Sequence, residues 1–254
     1  MSTVFATVNQ KGGVGKTTTA VNLAAYLATF GKKTLLIDFD PQGNATSGLG
    51  IDRNNIKMCM YDVIINDAQL QGIIKPTSVS GLDIAPATQK LAGAEVELTE
   101  FDSRESRIKN AIKDIRDQYE YVLIDCPPSL SLLTVNALTA TDQVIIPIQC
   151  EYYALEGLSQ LVKTIEMIKK SLNPDLRICG ILLTMYDSRT LLSEQVVEET
   201  RRHFGGKVFK TIIPRNVRLA EAPSFGQPII FYDPSSTGAV AYENLSREVL
   251  DGHL

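Results

Sequence analysis

The sequence lacks an excess of positive charge: 25 Lys and Arg stand against 29 Asp and Glu, a net charge of −4. No global positive field marks a nucleic-acid binder, so any basic surface has to be local. The four cysteines, Cys59, Cys126, Cys150 and Cys179, include no C-x-x-C pair. That argues against a disulfide framework and against a zinc site. Three of them lie in apolar strand-like runs and read as small buried hydrophobes. The only histidines are His203 and His253, and both read as surface residues near helix ends. No apolar run approaches the ~20 residues that cross a bilayer. Residues 1–6 carry neither the basic segment nor the cleavage site of a signal peptide. A cytoplasmic protein is expected. No Gly/Ser/Pro linker, internal repeat or low-complexity tract interrupts the chain, so residues 1–254 are expected to form one domain.

Short apolar runs alternate with longer amphipathic ones. Strands are expected at residues 4–9, 34–38, 82–86, 121–125, 143–147, 178–184 and 207–214. Several are continuous Val/Ile/Leu, as in strands buried on both faces. Helices are expected at 17–30, 103–119, 132–141, 154–172 and 191–204. The alternation predicts an α/β fold: a doubly wound, mainly parallel sheet flanked by helices on both faces. The least regular stretch, residues 43–76, reads as a mobile region or a set of short surface helices.

The sharpest signal is the run Asn9-Gln10-Lys11-Gly12-Gly13-Val14-Gly15-Lys16-Thr17-Thr18, which follows a strand and opens a helix. That is the setting of a phosphate-binding loop. Glycines let backbone N–H groups curl around phosphate oxygens, and the helix N-terminus adds its positive end. Lys16 is placed to reach the β- and γ-phosphates, and Thr17 to put its hydroxyl on Mg²⁺. Gln10 stands where the common pattern has its first glycine, and a second lysine, Lys11, precedes Gly12-Gly13. Carboxylates follow at two strand ends: Asp38 and Asp40 after one, Asp125 after another. Ligands of open α/β sheets bind at such ends, where carboxylates can hold Mg²⁺ directly or through water. Asp38 reads as a polar cap on its strand, turned away from Asp40.

The loop resembles the deviant Walker A motif, K-G-G-x-G-K-[ST], of the ParA/MinD class of P-loop ATPases. Four further runs resemble the chromosomal ParA/Soj family: 38–46 (DFDPQGNAT), 125–129 (DCPPS), 149–157 (QCEYYALEG) and 213–224 (IPRNVRLAEAPS). The match covers essentially the whole chain. The resemblance implies slow, Mg²⁺-dependent ATP hydrolysis that requires an ATP-dependent homodimer. In it Lys11 reaches the partner's nucleotide, and residues Lys11, Gly12, Gly13, Val14, Gly15, Lys16, Thr17 and Thr18 hold the phosphates. Asp40 positions the attacking water and, with Thr17 and Asp125, serves the metal. Asp125 stands as the Walker B aspartate, and Pro214 and Asn216 lie by the adenine. It also implies sequence-independent DNA binding by the ATP dimer, a ParB/Spo0J-type partner that stimulates hydrolysis and release, action of some members on DnaA, and a nucleoid-associated location. Arg189 and Arg218 match positions linked to DNA. Lys207 and Lys210 add to them, since residues 205–220 carry four cations and no acid. No DNA-reading helix-turn-helix is expected ahead of the loop.

Three rivals share parts of this pattern. A MinD-like, membrane-cycling ATPase needs a basic amphipathic helix at its end, whereas residues 242–254 hold one Arg against three acids. No membrane target is expected. An iron–sulfur carrier needs converging thiolates, and no C-x-x-C is present. A small-molecule kinase on the same fold needs a second substrate site, of which the sequence carries no signature.

Overall fold

A computed structural model describes residues 2–151 and 154–252. Tyr152 and Tyr153 of the 149–157 run, and His253, lie outside the described residues. The strands are β1 (Thr3–Thr7), β2 (Thr34–Asp38), β3 (Lys75–Pro76), β4 (Leu82–Ala85), β5 (Tyr121–Asp125), β6 (Gln143–Gln149), β7 (Arg177–Tyr186) and β8 (Val208–Pro214). They form one sheet in the order β3-β4-β2-β5-β1-β6-β7-β8. Every neighbouring pair is parallel except β3–β4. The helices are α1 (Lys16–Thr29), α2 (Asn44–Gly48), α3 (Met60–Ile65), α4 (Leu91–Glu97), α5 (Arg107–Lys113), α6 (Leu132–Ala140), α7 (Ala154–Ser171), α8 (Leu191–Phe204), α9 (Val217–Glu221), α10 (Ile229–Tyr232) and α11 (Thr237–Leu250).

The doubly wound sheet expected from the alternation is present, and the side-chain period of the strands explains it. Along β1, Val4 and Ala6 enter one apolar core and Phe5 the other, because successive residues face opposite sides. The first core is closed by α3–α8, the second by α1, α10 and α11. Since the strands are parallel, the segments after β1, β2, β5, β6, β7 and β8 all emerge at one edge. From β1 the chain winds out to β2 and β4, returns through β5, and passes β1 to β6, β7 and β8, so a crevice opens beside β1 where the winding changes direction.

Residues 43–76 form α2, α3, two single 3₁₀ turns and β3, with Met60, Ile64, Leu70 and Ile73 buried in the core. The expected helix over 103–119 is shorter. It starts at Arg107, because Ser103 takes φ 54°, outside the helical region, and it ends at Lys113 before a 3₁₀ turn. The sequence reading assigned no helix to residues 237–250. There Ser236 caps α11 by accepting from the Ala239 amide at 3.2 Å, and Ala239, Tyr242, Leu245 and Val249 bury its apolar stripe. Tyr26 donates to the Ala239 carbonyl at 2.8 Å, tying α11 to α1. Gly180 lets β7 approach Phe209 of β8: a Cβ there would lie 2.4 Å from the Phe209 ring.

Candidate functional site: a phosphate loop with a buried acid cluster

The loop between β1 and α1 is held open from several sides. Gly13 and Gly15 adopt φ 73° and 88°, conformations that glycine takes without strain. Gly15 immediately precedes α1, so the first N–H groups of that helix face the loop. Asn9 anchors the entry: its Nδ2 donates to the Pro147 carbonyl at 2.7 Å and its Oδ1 accepts from the Lys11 amide at 2.9 Å. Gln149 Nε2 donates to the Gly13 carbonyl at 2.8 Å, and Thr184 Oγ1 lies 2.9 Å from the Val14 carbonyl. The loop is therefore clamped by the ends of β6 and β7. Sequence reasoning missed Asn9, Gln149 and Thr184 as supports. Their one signal was their place at or just beyond strand ends on the ligand edge.

Lys16 is buried and donates to the Lys11 carbonyl at 3.0 Å. Burial lowers the pKa of its ammonium, against the raising pull of Asp125, Cys126 and Asp40. Asp125, at the end of β5, is fully buried. Burial pushes its carboxyl up to about 8, helped by the charge on Asp38 and opposed by the Thr17 hydroxyl and, more weakly, by Lys16. Its Oδ1 is 3.3 Å from the Thr7 hydroxyl, and its Oδ2 has no hydrogen-bond partner among the described residues. Buried polar atoms without partners are rare. An orphaned carboxylate oxygen beside a threonine hydroxyl and a buried ammonium fits a hard divalent cation accompanied by phosphate. No group of three or more His, Cys, Asp or Glu converges on a metal among the described residues.

Asp38 does not turn away from this cluster. It pairs in register with Asp125, is fully buried, and has its carboxyl pushed up to about 6, chiefly by burial. Residues two apart in extended chain share a face, so Asp38 and Asp40 lie on the same side. Asp38 Oδ2 accepts from the Thr46 amide at 2.7 Å and the Thr46 hydroxyl at 2.6 Å, and Oδ1 accepts from the Asp40 amide at 3.3 Å. It fastens the segment that carries Asp40. Asp40 itself is buried and accepts from the Gln42 amide at 2.9 Å.

Lys11 lies apart from the cluster. Its ammonium pairs with Glu151 at 2.7 Å, and both side chains are about half exposed (48% and 47%). Beyond the loop, Gly15, Thr18, Met185, Pro214, Asn216 and Tyr242 line a cavity of about 310 Å³, within the range of small-ligand sites. Arg189 and Arg218 follow the ends of β7 and β8 on this same edge. Arg189 is 83% exposed and forked onto Asp187 at 2.8 and 2.6 Å. Arg218 pairs with Glu221 at 2.8 Å and lies 3.4 Å from Asp233. Lys210 is exposed on β8, and Lys207 precedes that strand at the opposite end of the sheet, roughly 20 Å away at strand rise.

A family model described as an AAA domain matches residues 2–178. The sporulation initiation inhibitor protein Soj of Bacillus subtilis is 59% identical over 98% of this chain and 98% of its own length. The chromosome partitioning protein ParA of Myxococcus xanthus is 57% identical over 95% of this chain and 86% of its own. Among solved structures, cobyrinic acid a,c-diamide synthase from Mycobacterium smegmatis with bound ADP and magnesium superposes with TM-score 0.87. It is 36% identical and covers 98% of this chain and 94% of that one. Sequence, topology and loop geometry agree: the chain belongs to the Soj/ParA family of chromosome-partitioning P-loop ATPases.

Proposed function

We propose that this chain is a Mg²⁺-dependent ATPase switch of chromosome or plasmid partitioning, acting as one unit over residues 1–254. ATP drives two copies together, the pair binds DNA without regard to sequence, and a ParB-type partner triggers hydrolysis and release. The observation that carries the reading is the buried cluster of Lys16, Asp40 and Asp125, with an orphaned Asp125 oxygen, beside a loop that holds two lysines. Bound Mg-ATP supplies the scissile phosphoanhydride and a cation that neutralises its charge.

The chain's own residues do the rest. The amides of residues 12–18 and the N-terminus of α1 receive phosphate oxygens. Lys16 leaves the Lys11 carbonyl for the β- and γ-oxygens, and Thr17 and Asp125 hold the metal's shell. Asp40, fixed through Asp38 and Thr46, orients water in line with the γ-phosphate. Lys11 completes the neutralisation from the partner chain, so hydrolysis waits for dimerisation. Pro214 and Asn216 border the base. Arg189, Arg218, Lys207 and Lys210 supply phosphate contacts to DNA. The protein works in the cytoplasm on the nucleoid, and the family extends to the initiator DnaA as a further partner.

The rival reading is a MinD-like ATPase that cycles on membranes. α11 buries its apolar residues against α1 and β8 and presents Glu243 and Asp251 with Arg247 outward, a poor match to anionic lipid. The test is sedimentation velocity of the wild type and Asp40→Ala with Mg-ATP or Mg-ADP. The reading expects an ATP-specific dimer, longer-lived in Asp40→Ala. Monomers under every nucleotide would end it.

A further inference from the structure

We propose that Thr237 is a specificity-determining positioning residue of the base cleft, setting adenine over guanine through Asn216. The inference rests on the reading that this cleft holds the nucleotide base.

Asn216 caps the short helix α9: its Oδ1 accepts from the Arg218 amide at 2.8 Å. Its Nδ2 donates to Thr237 Oγ1 at 2.8 Å. A backbone N–H can only donate, so the amide atom facing Arg218 must be the oxygen, and the flipped carboxamide is excluded. Thr237 opens α11, which is itself fixed to α1 through Tyr26–Ala239 and through Thr19 and Tyr242, 3.1 Å apart. The carboxamide of Asn216 is therefore clamped at both ends by different elements.

A carboxamide has two N–H donors and two acceptor lone pairs. The two internal bonds consume one of each. One donor, on Nδ2, and one acceptor, on Oδ1, remain in fixed order on a residue that lines the 310 Å³ cavity. That order is what separates the two purines. The Watson–Crick edge of adenine offers an amino donor next to a ring-nitrogen acceptor. Guanine offers a carbonyl acceptor next to a ring N–H donor, the reverse order. An amide free to rotate serves either base by turning over, whereas a clamped one serves a single base. In a P-loop ATPase that base is adenine. Ser236, and not Thr237, caps α11, so loss of the Thr237 hydroxyl leaves the helix start intact.

The experiment is calorimetric titration with the Mg²⁺ complexes of the β,γ-imido analogues of ATP and GTP, on wild type, Thr237→Val and Thr237→Ser, with melting curves for each. One hydrogen bond is at stake, so the ATP-over-GTP affinity ratio should fall about two- to tenfold in Thr237→Val. Thr237→Ser, which keeps the hydroxyl, should hold the wild-type ratio at an unchanged melting temperature. An unchanged ratio in Thr237→Val, or equal weakening of both nucleotides, would overturn the proposal while leaving the base-cleft reading in place. Wild-type protein that binds neither analogue would overturn that reading, and this inference with it.

Discussion

Lys11 and Glu151 form an ion pair within one chain, 2.7 Å between Nζ and Oε2, at the point where the phosphate loop meets the segment leading into α7. If Lys11 serves the nucleotide of a partner chain, this pair must open first. An ion pair so exposed is worth little, and each dimer breaks two. Glu151→Gln should therefore tighten ATP-dependent self-association by roughly two- to thirtyfold, read by sedimentation velocity. Lys11→Ala should remove the dependence of hydrolysis rate on protein concentration. A Glu151→Gln variant that associates more weakly than the wild type would show the pair to be no restraint.

Asp40→Ala should lower the single-turnover hydrolysis rate by about 100-fold or more, the scale of losing a residue that orients or deprotonates water. Nucleotide affinity should hold, because the phosphates are gripped by the loop and Lys16. Lys16→Ala should do the opposite, weakening binding before chemistry is reached. Equal losses of binding in both variants would place Asp40 among the groups that hold the nucleotide through Mg²⁺.

The carboxyls of Asp125 and Asp38 are raised to about 8 and about 6, mainly by burial. Between about pH 4 and pH 8 these two carboxyls hold protons in the folded chain that they release in the unfolded one. Nucleotide-free stability should then fall as pH rises across that window. Asp125→Asn removes the cost of ionising a buried acid. It should raise the melting temperature at pH 8 by at least roughly 2–4 °C, with the gain shrinking toward pH 4. The same variant should lose Mg²⁺-dependent hydrolysis. A melting temperature equal to wild type at pH 8 would mean Asp125 is ionised without strain.

Gly180→Ala places a Cβ 2.4 Å from the Phe209 ring. Overpacking of this kind costs about 1–3 kcal/mol, or roughly 2–12 °C in melting temperature for a chain of this size. Nucleotide affinity of the folded fraction should be unchanged, since the clash lies in the second core and away from the loop.

The phosphate loop and the parallel sheet were legible because each has a local signature: glycines at fixed offsets between a strand and a helix, and runs of β-branched residues. Lys16 and Asp125 fall where those signatures put them. Asp38 was misread as turned away from Asp40, although residues two apart in extended chain share a face; its fastening role depends on Thr46, a hydrogen-bond partner eight residues on. α11 escaped notice because its apolar stripe is broken by polar residues and its cap is a single serine. The supports of the loop, Asn9, Gln149 and Thr184, are joined only by the sheet order, which puts β6 beside β1 and β7 next to β6. Glu151 stood within a quoted run, but nothing in that run announces an ion pair 140 residues away in sequence.

The central claim, a nucleotide-gated grip on DNA, is tested most directly by titrating random-sequence duplex DNA with the protein in ATP or ADP, at about 50 and 200 mM salt. Arg189 is held by Asp187, whose carboxyl the guanidinium keeps well below the usual range; Asp187→Asn should free that charge and strengthen binding, and Arg189→Ala should weaken it with the ATP dimer intact. The account predicts binding with ATP and none with ADP, and an affinity that falls steeply with salt as released counterions require. An ATP dimer that ignores DNA at the lower salt would contradict it.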